Sequence, residues 1–496
     1  MSDKVTESST IVDDKALRRV LQQGLASQVK ITLTEGVFLV AFAILLGAPN
    51  TVIGLLAATP SITQFLQIPS IYIVEKYRTR KRINTITTIG SRLAILFMAL
   101  IPFLSTPDLS LIFLIGTVAI QSAFIAIGSP SWNSWLRDLV PLNKLGRFFS
   151  RRLAYNAIIA VIVTFLGGII VGEWSNWGFG LTVYSYSFLF FLAFSFGIVS
   201  LILTQSIPEP KMEVSEKQLG FLDQIRHPFE NDNFRNLMIF SGLWSFSTSL
   251  VAPFFTVYLL TRLGLELPIA TGLSALTQIV SIVFFRFWGS LSDRFTNKSV
   301  LQITAPLFLV GTLLWAFTTV AQEAFLDIPL LVIIHLLTGL SAAGVNLTST
   351  NIGLKLAPRG QAPGYIATRS VVISSAASVA PIIGGISADL LAEHELIFTF
   401  TWNNPMGQII FNTIYLSGID FLFLFSVLIG VYAIHRLALV KEQGEVEEKV
   451  IIDAIIAETR RNVRNLSTVD GLRHTLQLPL ESVRGVFKKK KRPQFE

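Results

Sequence analysis

The sequence contains no cysteine and few charged residues. Without cysteine among its 496 residues, the chain has neither structural disulfides nor thiolate metal sites. Charged residues make up 15% of the chain, compared with about 25% in a typical soluble domain. Apolar residues make up 51%, and the mean hydropathy is +0.59. This composition excludes an ordinary soluble globular protein and predicts a polytopic, all-α membrane protein.

Motifs for enzymatic chemistry are also absent from the sequence. There is no Gly-x-x-x-x-Gly-Lys-(Ser/Thr) phosphate loop, so we do not expect the chain itself to hydrolyse ATP. It has no His-Glu-x-x-His, no nucleophile elbow and no clustered His and Asp for a metal ion. We therefore expect no enzyme, no cofactor and no metal site. The net charge of +8 is assigned to loops near anionic lipid rather than to nucleic-acid binding.

Twelve apolar segments are long enough to cross a bilayer, which takes about 20 residues per helix. They cover residues 24–46, 52–73, 84–104, 110–132, 152–173, 184–205, 236–260, 268–289, 299–320, 328–352, 365–391 and 411–436. Alternate loops are rich in Lys and Arg, for example Arg78, Arg80 and Lys81, whereas the opposite set offers only Arg262. The positive-inside rule then places both termini in the cytoplasm, and we expect a multi-pass protein of the plasma (inner) membrane.

A polar linker divides the chain into two halves of six segments. The expected organisation is a cytoplasmic segment 1–22, a bundle 23–205, a cytoplasmic linker 206–235, a bundle 236–438 and a cytoplasmic tail 439–496. The linker has the spacing of a short amphipathic helix, as does 446–463 in the tail. A basic run at 488–492 is expected to contact anionic membrane lipid, the alternative being a disordered topogenic tail.

A charged loop motif occurs twice, with an offset of 218 residues. Glu75, Lys76 and Arg80 correspond to Asp293, Arg294 and Lys298. The same offset relates Asn133 to Asn351 and Arg151 to Arg369. Because six segments separate the copies, both halves start on the same side of the membrane. The sequence therefore predicts two parallel six-helix repeats.

These features resemble the major facilitator superfamily, in its bacterial-type twelve-helix form, over about residues 20–438. The family motif Gly-x-Leu-(Ala/Ser)-Asp-Arg-x-Gly-(Arg/Lys)-(Arg/Lys) is matched by Gly289, Leu291, Asp293, Arg294 and Lys298. Thr296 replaces the second glycine, and in the first copy Ile71 and Arg78 occupy both glycine positions.

The resemblance implies a conformational latch made by this motif. Asp293 with Arg294, and more weakly Glu75 with Lys76, would brace the outward-open state, with Gly289 and Lys298 completing the second copy. The alternative is that these are ordinary topogenic loop charges. Because the first copy lacks both glycines, we expect Asp293 to matter more than Glu75.

Two motifs of proton-coupled members are missing. The fourth segment, residues 111–132, has no arginine, and the fifth has Gly167 and Gly168 without the proline of an antiporter motif. These departures weigh against a drug–proton antiporter.

Ionisable residues inside the bilayer are costly, and they mark candidate sites. Glu35 is a candidate proton carrier; the alternative is a carboxylate bonded to Lys30 or to a backbone group. Arg92 is a candidate partner of Glu35 or a site for an anionic substrate. His335 is a candidate proton shuttle, or else a neutral packed histidine.

Polar and aromatic residues of the segments expected to line a cavity form a second set of candidates. They are Gln121, Trp132, Asn133, Trp244, Asn346 and Asn351. A lining of this kind suits a neutral or amphipathic small molecule. Each residue alone is equally suited to helix packing or to the membrane interface.

The sequence thus predicts a secondary active transporter that moves a small organic solute by alternating access, with proton coupling through Glu35 as an extension. Two alternatives remain at this point. One is a transporter-shaped assembly or sensor protein that moves nothing. The other is the membrane subunit of an ATP-driven complex.

Overall fold

The computed structural model describes residues 14–104, 106–141, 145–210, 212, 227–318, 324–358, 362–404 and 407–444. Within these residues, twelve helices are long and apolar enough to cross a membrane. The predicted helices of the linker and the tail, and the basic run at 488–492, lie outside the described residues. The predicted all-α class with twelve spanning segments is confirmed.

Six spans make up the first half. Its helices are α1 (Asp14–Thr34), α2 (Val37–Leu45), α3 (Asn50–Thr63), α4 (Gln67–Tyr77), α5 (Arg80–Leu104), α6 (Pro107–Leu139), α7 (Leu145–Glu173) and α8 (Val183–Gln205). The pairs α1–α2 and α3–α4 each form one span, the second pair through a 3₁₀ turn at Gln64–Leu66.

The second half has six spans and a hairpin. Its elements are α9 (Asp232–Val251), α10 (Phe254–Val257), α11 (Leu267–Arg294), α12 (Asn297–Leu314), α13 (Ala324–Leu356), α14 (Ala362–Leu390), β1 (Glu395–Asn404), β2 (Gly407–Ser417) and α15 (Asp420–Ala438). A π-helical turn at Tyr258–Arg262 extends the α9–α10 span, and a 3₁₀ turn at Trp315–Phe317 extends α12.

Matching helices pack together in the two halves. The first and sixth spans, α1 and α8, are neighbours, as are the seventh and twelfth, α9 and α15. The third and fourth spans, α5 and α6, pair in the same way as the ninth and tenth, α12 and α13. The halves meet where α3 packs on α14 and where α7 packs on α11. This arrangement gives the predicted duplication a structural counterpart.

The first span begins and continues differently from its prediction. Helix α1 starts at Asp14, and Ala16, Leu17 and Val20 are buried against α6, so part of the expected polar segment 1–22 belongs to the bundle. The span is then interrupted at Glu35 and Gly36, where Gly36 has a φ of 61°. A left-handed residue cannot continue an α-helix, so the ladder of hydrogen bonds is interrupted after Glu35, whose own N–H still donates to the Ile31 carbonyl at 3.1 Å.

The start of the predicted twelfth segment, 411–436, is wrong. Residues Gly407–Ser417 form strand β2, paired antiparallel with β1, and α15 begins only at Asp420. An apolar run of this length does not by itself distinguish a strand from a helix. The alternation Phe398-Thr399-Phe400-Thr401-Trp402 has the period of a strand, and this pattern is the sequence feature that indicates the hairpin.

Candidate functional site

Two ends of the bundle differ in charge. The end that carries Arg78, Arg80, Arg137, Arg294 and Lys355 is called the basic end. The opposite end, which carries Asn50, Asp389 and the β-hairpin, is called the far end.

The halves are joined at the far end by a carboxylate. Asp389, at the end of α14, accepts hydrogen bonds from the backbone N–H of Asn50 at 3.0 Å and of Thr51 at 2.8 Å. The Thr51 hydroxyl donates a third bond at 2.6 Å. Asn50 is the first residue of α3, where backbone N–H groups have no partner within the helix and the dipole favours an anion. A residue of one half thus caps a helix of the other.

Glycines bring the two halves into close contact near this cap. A methyl group at Gly54 of α3 would collide with the carbonyl of Pro381 in α14. One at Gly168 of α7 would collide with the Thr271 side chain of α11. Small residues allow membrane helices to approach at the backbone, so the far end is tightly sealed.

The halves separate toward the basic end. Helix α3 packs on α14 of the other half, but α4, its continuation, packs mainly on α6 of its own half. Asp293 and Arg294 are exposed there, and the Arg294 guanidinium lies over its neighbour Phe295, with 5.1 Å to the ring centroid. In this conformation Asp293 forms no ion pair with another described residue.

A first cavity of about 490 Å³ lies between the halves. Both halves line it, with Glu35, Pro60 and Thr277 among its polar and small residues and Trp315 and His335 along one wall. The His335 ring is 5.5 Å from the Trp315 ring, and its Nδ1 is 2.7 Å from the Leu331 carbonyl. Because a carbonyl only accepts, Nδ1 carries the proton, which leaves Nε2 as an acceptor in the neutral ring.

A second cavity of about 450 Å³ lies within the first half. Its polar lining consists mainly of residues from α1, α5, α6 and α7, among them Gln23, Lys30, Arg92, Gln121, Trp132 and Arg152. Glu35 lines both cavities, because the break in the first span places it where the two spaces meet.

The charged candidates gather in the second cavity. The exposed fractions of Lys30 and Arg92 are only 3% and 6%. Lys30 lies within electrostatic range of both Arg92 and Glu35, yet none of the three forms an ion pair with a described residue. The predicted pairing of Glu35 with Lys30 or with Arg92 is therefore not seen in this conformation.

The other cavity candidates divide. Gln121 and Trp132 line the second cavity, and the Gln121 amide donates to Thr34 at 3.4 Å. Asn133 is exposed and donates to Ser129, and Asn346 is also exposed. Trp244 packs in the core with Phe240 and Phe308. Neither cavity includes Asn133, Trp244, Asn346 or Asn351 among its lining residues.

The motif residues Gly289 and Lys298 lie at the basic end of the second half. Gly289 faces Leu347 of α13, with room for a methyl group. Lys298 is buried, and its amine donates to the Ala438 carbonyl at 3.3 Å. This contact keeps Lys298 within its own half. Lys76 of the first copy is exposed beside Tyr77.

Two glutamates that the sequence did not single out organise the basic end. Glu442 accepts from the Lys355 amine at 2.8 Å, the Lys298 backbone N–H at 2.7 Å and the Asn297 amide at 3.1 Å. Glu209 accepts from the Lys81 backbone N–H at 3.2 Å and lies 3.8 Å from buried Arg80, which also pairs with Asp138. Each glutamate follows the sixth span of its half and holds the start of the third.

The environment of Glu442 controls its protonation. Burial raises the pKa of this carboxyl, but the hydrogen bonds from Lys355, Lys298 and Asn297 favour its charged form more strongly. The net result is a pKa below the ordinary value of 4.5.

The two motif copies form the glycine turn differently. Arg78 ends α4 with a φ of 52°, the only described residue other than glycine with a positive φ. Its counterpart Thr296 is extended, with a φ of −156°, and its hydroxyl caps α12 by accepting from the Ser299 N–H at 3.1 Å. The first copy thus tolerates a strained turn that the second avoids.

Comparisons with known proteins agree with this architecture. A sequence profile of the Major Facilitator Superfamily matches residues 26–392. A comparison with curated protein sequences found no match.

Solved structures with the same fold include several transporters. A mutant of the nucleoside transporter NupG has a TM-score of 0.65 at 16% identity, covering 85% of this chain and 100% of that one. A bacterial homolog of the human lysosomal transporter Spinster, inward-facing and unoccupied, has a TM-score of 0.61 at 15% identity. The match covers 87% of this chain and 97% of that one. A D-xylose–proton symporter has a TM-score of 0.61 at 15% identity, and the match covers 88% of this chain and 98% of that one.

Proposed function

The chain belongs to the Major Facilitator Superfamily and is a multi-pass membrane transporter, and we propose that it moves a small organic solute by alternating access. The first cavity is the observation that carries this proposal. It lies between two six-helix halves that are sealed at the far end by Asp389 and separated at the basic end. A solute bound there would be exposed to one side of the membrane at a time.

The proposal includes an orientation. The positive-inside rule places the basic end, with both termini, in the cytoplasm of a plasma (inner) membrane. The conformation described is then the inward-facing one, and the proposed bundles 23–205 and 236–438 are its moving bodies. The tail would lie against anionic lipid.

The exposed state of Asp293 fits its proposed role as a latch. A bond that holds the outward-open state must break in the inward-facing state, and Asp293 and Arg294 are exposed here. Glu75 and Lys76 would form the weaker copy. Gly289 faces Leu347 of the neighbouring helix, and Lys298 anchors the loop to α15.

Proton coupling through Glu35 is a further part of the proposal. A carboxylate that carries a proton must be reachable from the solute site and must change partners during the cycle. Glu35 lies at the break in the first span, lines both cavities and is close to Lys30. His335, whose Nε2 is an acceptor on the opposite wall, is a second proton site in this scheme.

Alternating access is tested with one cysteine placed at Ala57, which lines the first cavity. Because the natural chain has no cysteine, a membrane-impermeant thiol reagent then reports a single position. A transporter reacts from both sides of sealed vesicles, in proportions that solute changes. Reaction from one side only, under every condition, would favour the assembly or sensor protein. Uptake by the purified chain in liposomes separates it from a subunit that needs an ATPase.

Coupling is tested with Glu35→Gln, which retains the shape of the side chain and removes its charge. We expect transport driven by a pH gradient to be lost while exchange of solute at equal pH persists. The matched control is Glu266→Gln, an exposed carboxylate at the far end. Full pH-driven transport by Glu35→Gln would exclude coupling through this residue.

A further inference from the structure

We propose that the second cavity binds a small organic anion, a carboxylate or phosphate that also carries hydroxyl groups. This inference rests on the proposed transport function and specifies its substrate class. Glu35 lines both cavities, so an anion held in the second cavity lies at the edge of the solute site in the first. It replaces the neutral or amphipathic solute that the aromatic and amide residues favoured at first.

The charge of the second cavity is the first reason. Among the residues that the structure describes, its lining includes three cations, Lys30, Arg92 and Arg152, and a single carboxylate, Glu35. Walls of low dielectric strengthen the field of such charges and concentrate ions of opposite sign. The cavity is therefore an attractive space for an anion and a repulsive one for a cation.

The bonding of the cations is the second reason. Arg92 is 94% buried. Among the described residues its Nη1 reaches only the neighbouring Ser91 hydroxyl, at 3.3 Å, and its Nε has no acceptor. In the same described part of the chain the Arg152 Nε has no acceptor, and Lys30 forms no ion pair. Buried cations without partners are costly. A bound carboxylate or phosphate would supply the missing acceptors, and the fork of a guanidinium suits both.

The two arginines are seated in spaces made by glycines. A methyl group at Gly197 of α8 would lie 2.5 Å from the Cδ and 2.6 Å from the Nε of Arg92. A methyl group at Gly24 of α1 would lie 2.8 Å from the Nε of Arg152. Both contacts are too short for a real methyl group. The backbone of neighbouring helices thus fixes where each guanidinium lies, as expected for a preformed binding site.

Polar amides complete the chemistry of the ligand. The amide oxygens Oε1 of Gln23 and Gln121 and Oδ1 of Asn156 are buried, and no described residue donates a hydrogen bond to them. Gln23 and Gln121 line the cavity, and Asn156 lies beside Arg152 near Gly24. Hydroxyl groups on the ligand would donate to such oxygens. A hydroxylated organic anion satisfies both the cations and the amides.

The charge of the cavity is measured with a single cysteine at Ser122, which lines it. Sulfonatoethyl methanethiosulfonate is an anion and trimethylammonioethyl methanethiosulfonate a cation, and the ratio of their rates reports the local potential. We expect this ratio to be about tenfold higher at Ser122 than at a reference cysteine replacing Ser249 in the first cavity. Lys30→Gln or Arg92→Gln should lower it several-fold. Exposed Arg286→Gln is the matched control and should leave it unchanged.

Ligand class is measured by protection of the same cysteine. Glycerate, glycerol 3-phosphate and glycerol share a three-carbon skeleton and differ in charge. Glycerate and glycerol 3-phosphate distinguish a carboxylate site from a phosphate site, and at least one should slow modification in the parent protein but not in Lys30→Gln. Equal protection by glycerol, protection by neither anion, or equal reagent ratios at Ser122 and Ser249 would overturn the proposal.

These outcomes are separate from those for alternating access. The reagent ratio measures the potential at Ser122 and needs no transport. A failed anion site would therefore leave the two-sided reactivity at Ala57 intact. If Arg92→Gln does not fold, Lys30→Gln provides the same measurement at the edge of the same cluster.

Discussion

The carboxylate of Asp389 lies 2.8 Å from the Thr51 backbone N–H and 2.6 Å from the Thr51 hydroxyl, although 338 residues separate the two in sequence. This pair connects the last turn of α14 with the first turn of α3. The bond serves two purposes, because it caps a helix and joins the two six-helix halves. Its loss should therefore change a conformational equilibrium more than it changes folding.

Asp389→Asn should open the far end. The variant weakens charge-assisted bonds that contribute about 1.5–3 kcal/mol each. We expect a cysteine at Ala57 to react roughly tenfold faster with an impermeant reagent applied at the far end. Glu393→Gln removes a nearby exposed carboxylate and serves as the control. An unchanged rate in Asp389→Asn would show that the cap does not hold the seal.

Gly54→Ala should also open the far end, in this case by disturbing the packing of α3 on α14. The added methyl group would collide with the Pro381 carbonyl, and such overpacking costs about 1–3 kcal/mol. The added methyl group destabilises the conformation that is sealed at the far end, so the population should shift toward the other conformation. Gly272→Ala is the matched control, because a methyl group there has open space. The measurement is again reagent access from each side.

Glu442→Gln should destabilise the protein in a pH-dependent way. The folded pKa is depressed, so the stabilisation is present above the ordinary value of 4.5 and is lost as pH falls through the lower folded pKa. We expect a loss of about 1–3 kcal/mol at pH 7, seen as a lower melting temperature, and convergence of variant and parent in acid below pH 4.5. A difference that stays constant into strong acid would contradict this. Glu266→Gln is an exposed control.

Arg78→Gly should stabilise the first motif copy. A non-glycine residue at a φ of 52° lowers the free energy of unfolding by about 1 kcal/mol, and glycine avoids this backbone strain. The melting temperature should rise slightly. Arg82→Gly removes the same side chain from the first turn of α5 and should lower it, because glycine weakens a helix by about 1 kcal/mol. Equal effects of both variants would point to charge rather than to backbone strain.

Asp293→Asn should affect the two conformations unequally. Asp293 is exposed and unpaired among the described residues, so the variant should leave the stability of this conformation unchanged. If Asp293 latches the other conformation, the cysteine at Ala57 should become less reactive from the far end and more reactive from the basic end. Glu75→Gln should produce a smaller shift in the same direction. A larger effect of Glu75→Gln would reverse the proposed order of the two copies.

The sequence predicted what depends on local composition. Twelve apolar segments, the parallel duplication and the gathering of charge at one end all follow from residue type and spacing. Lys30, Glu35 and Arg92 were recognised because charge inside a membrane is unusual, and all three line the second cavity.

Features that depend on contacts between distant segments were not predictable in this way. Asp389 and Glu442 look like ordinary charges at helix ends, and only the packing of α14 on α3 and of the chain after α15 on α12 gives them partners. The sequence predicts Trp244 in a cavity lining, but a helix pattern does not say which face meets solvent, and the Trp244 ring lies in the core. The β-hairpin was missed because its apolar run continued the expected span.

The β-hairpin distinguishes the far end of the molecule from the basic end. No charged residue occurs between Glu395 and Asp420, and Phe400 and Trp402 are about half exposed. A firm aromatic epitope at the far end is a natural target for an antibody fragment. Binding of such a fragment to intact cells would report which way the protein lies in its membrane, without altering one residue of the transport path.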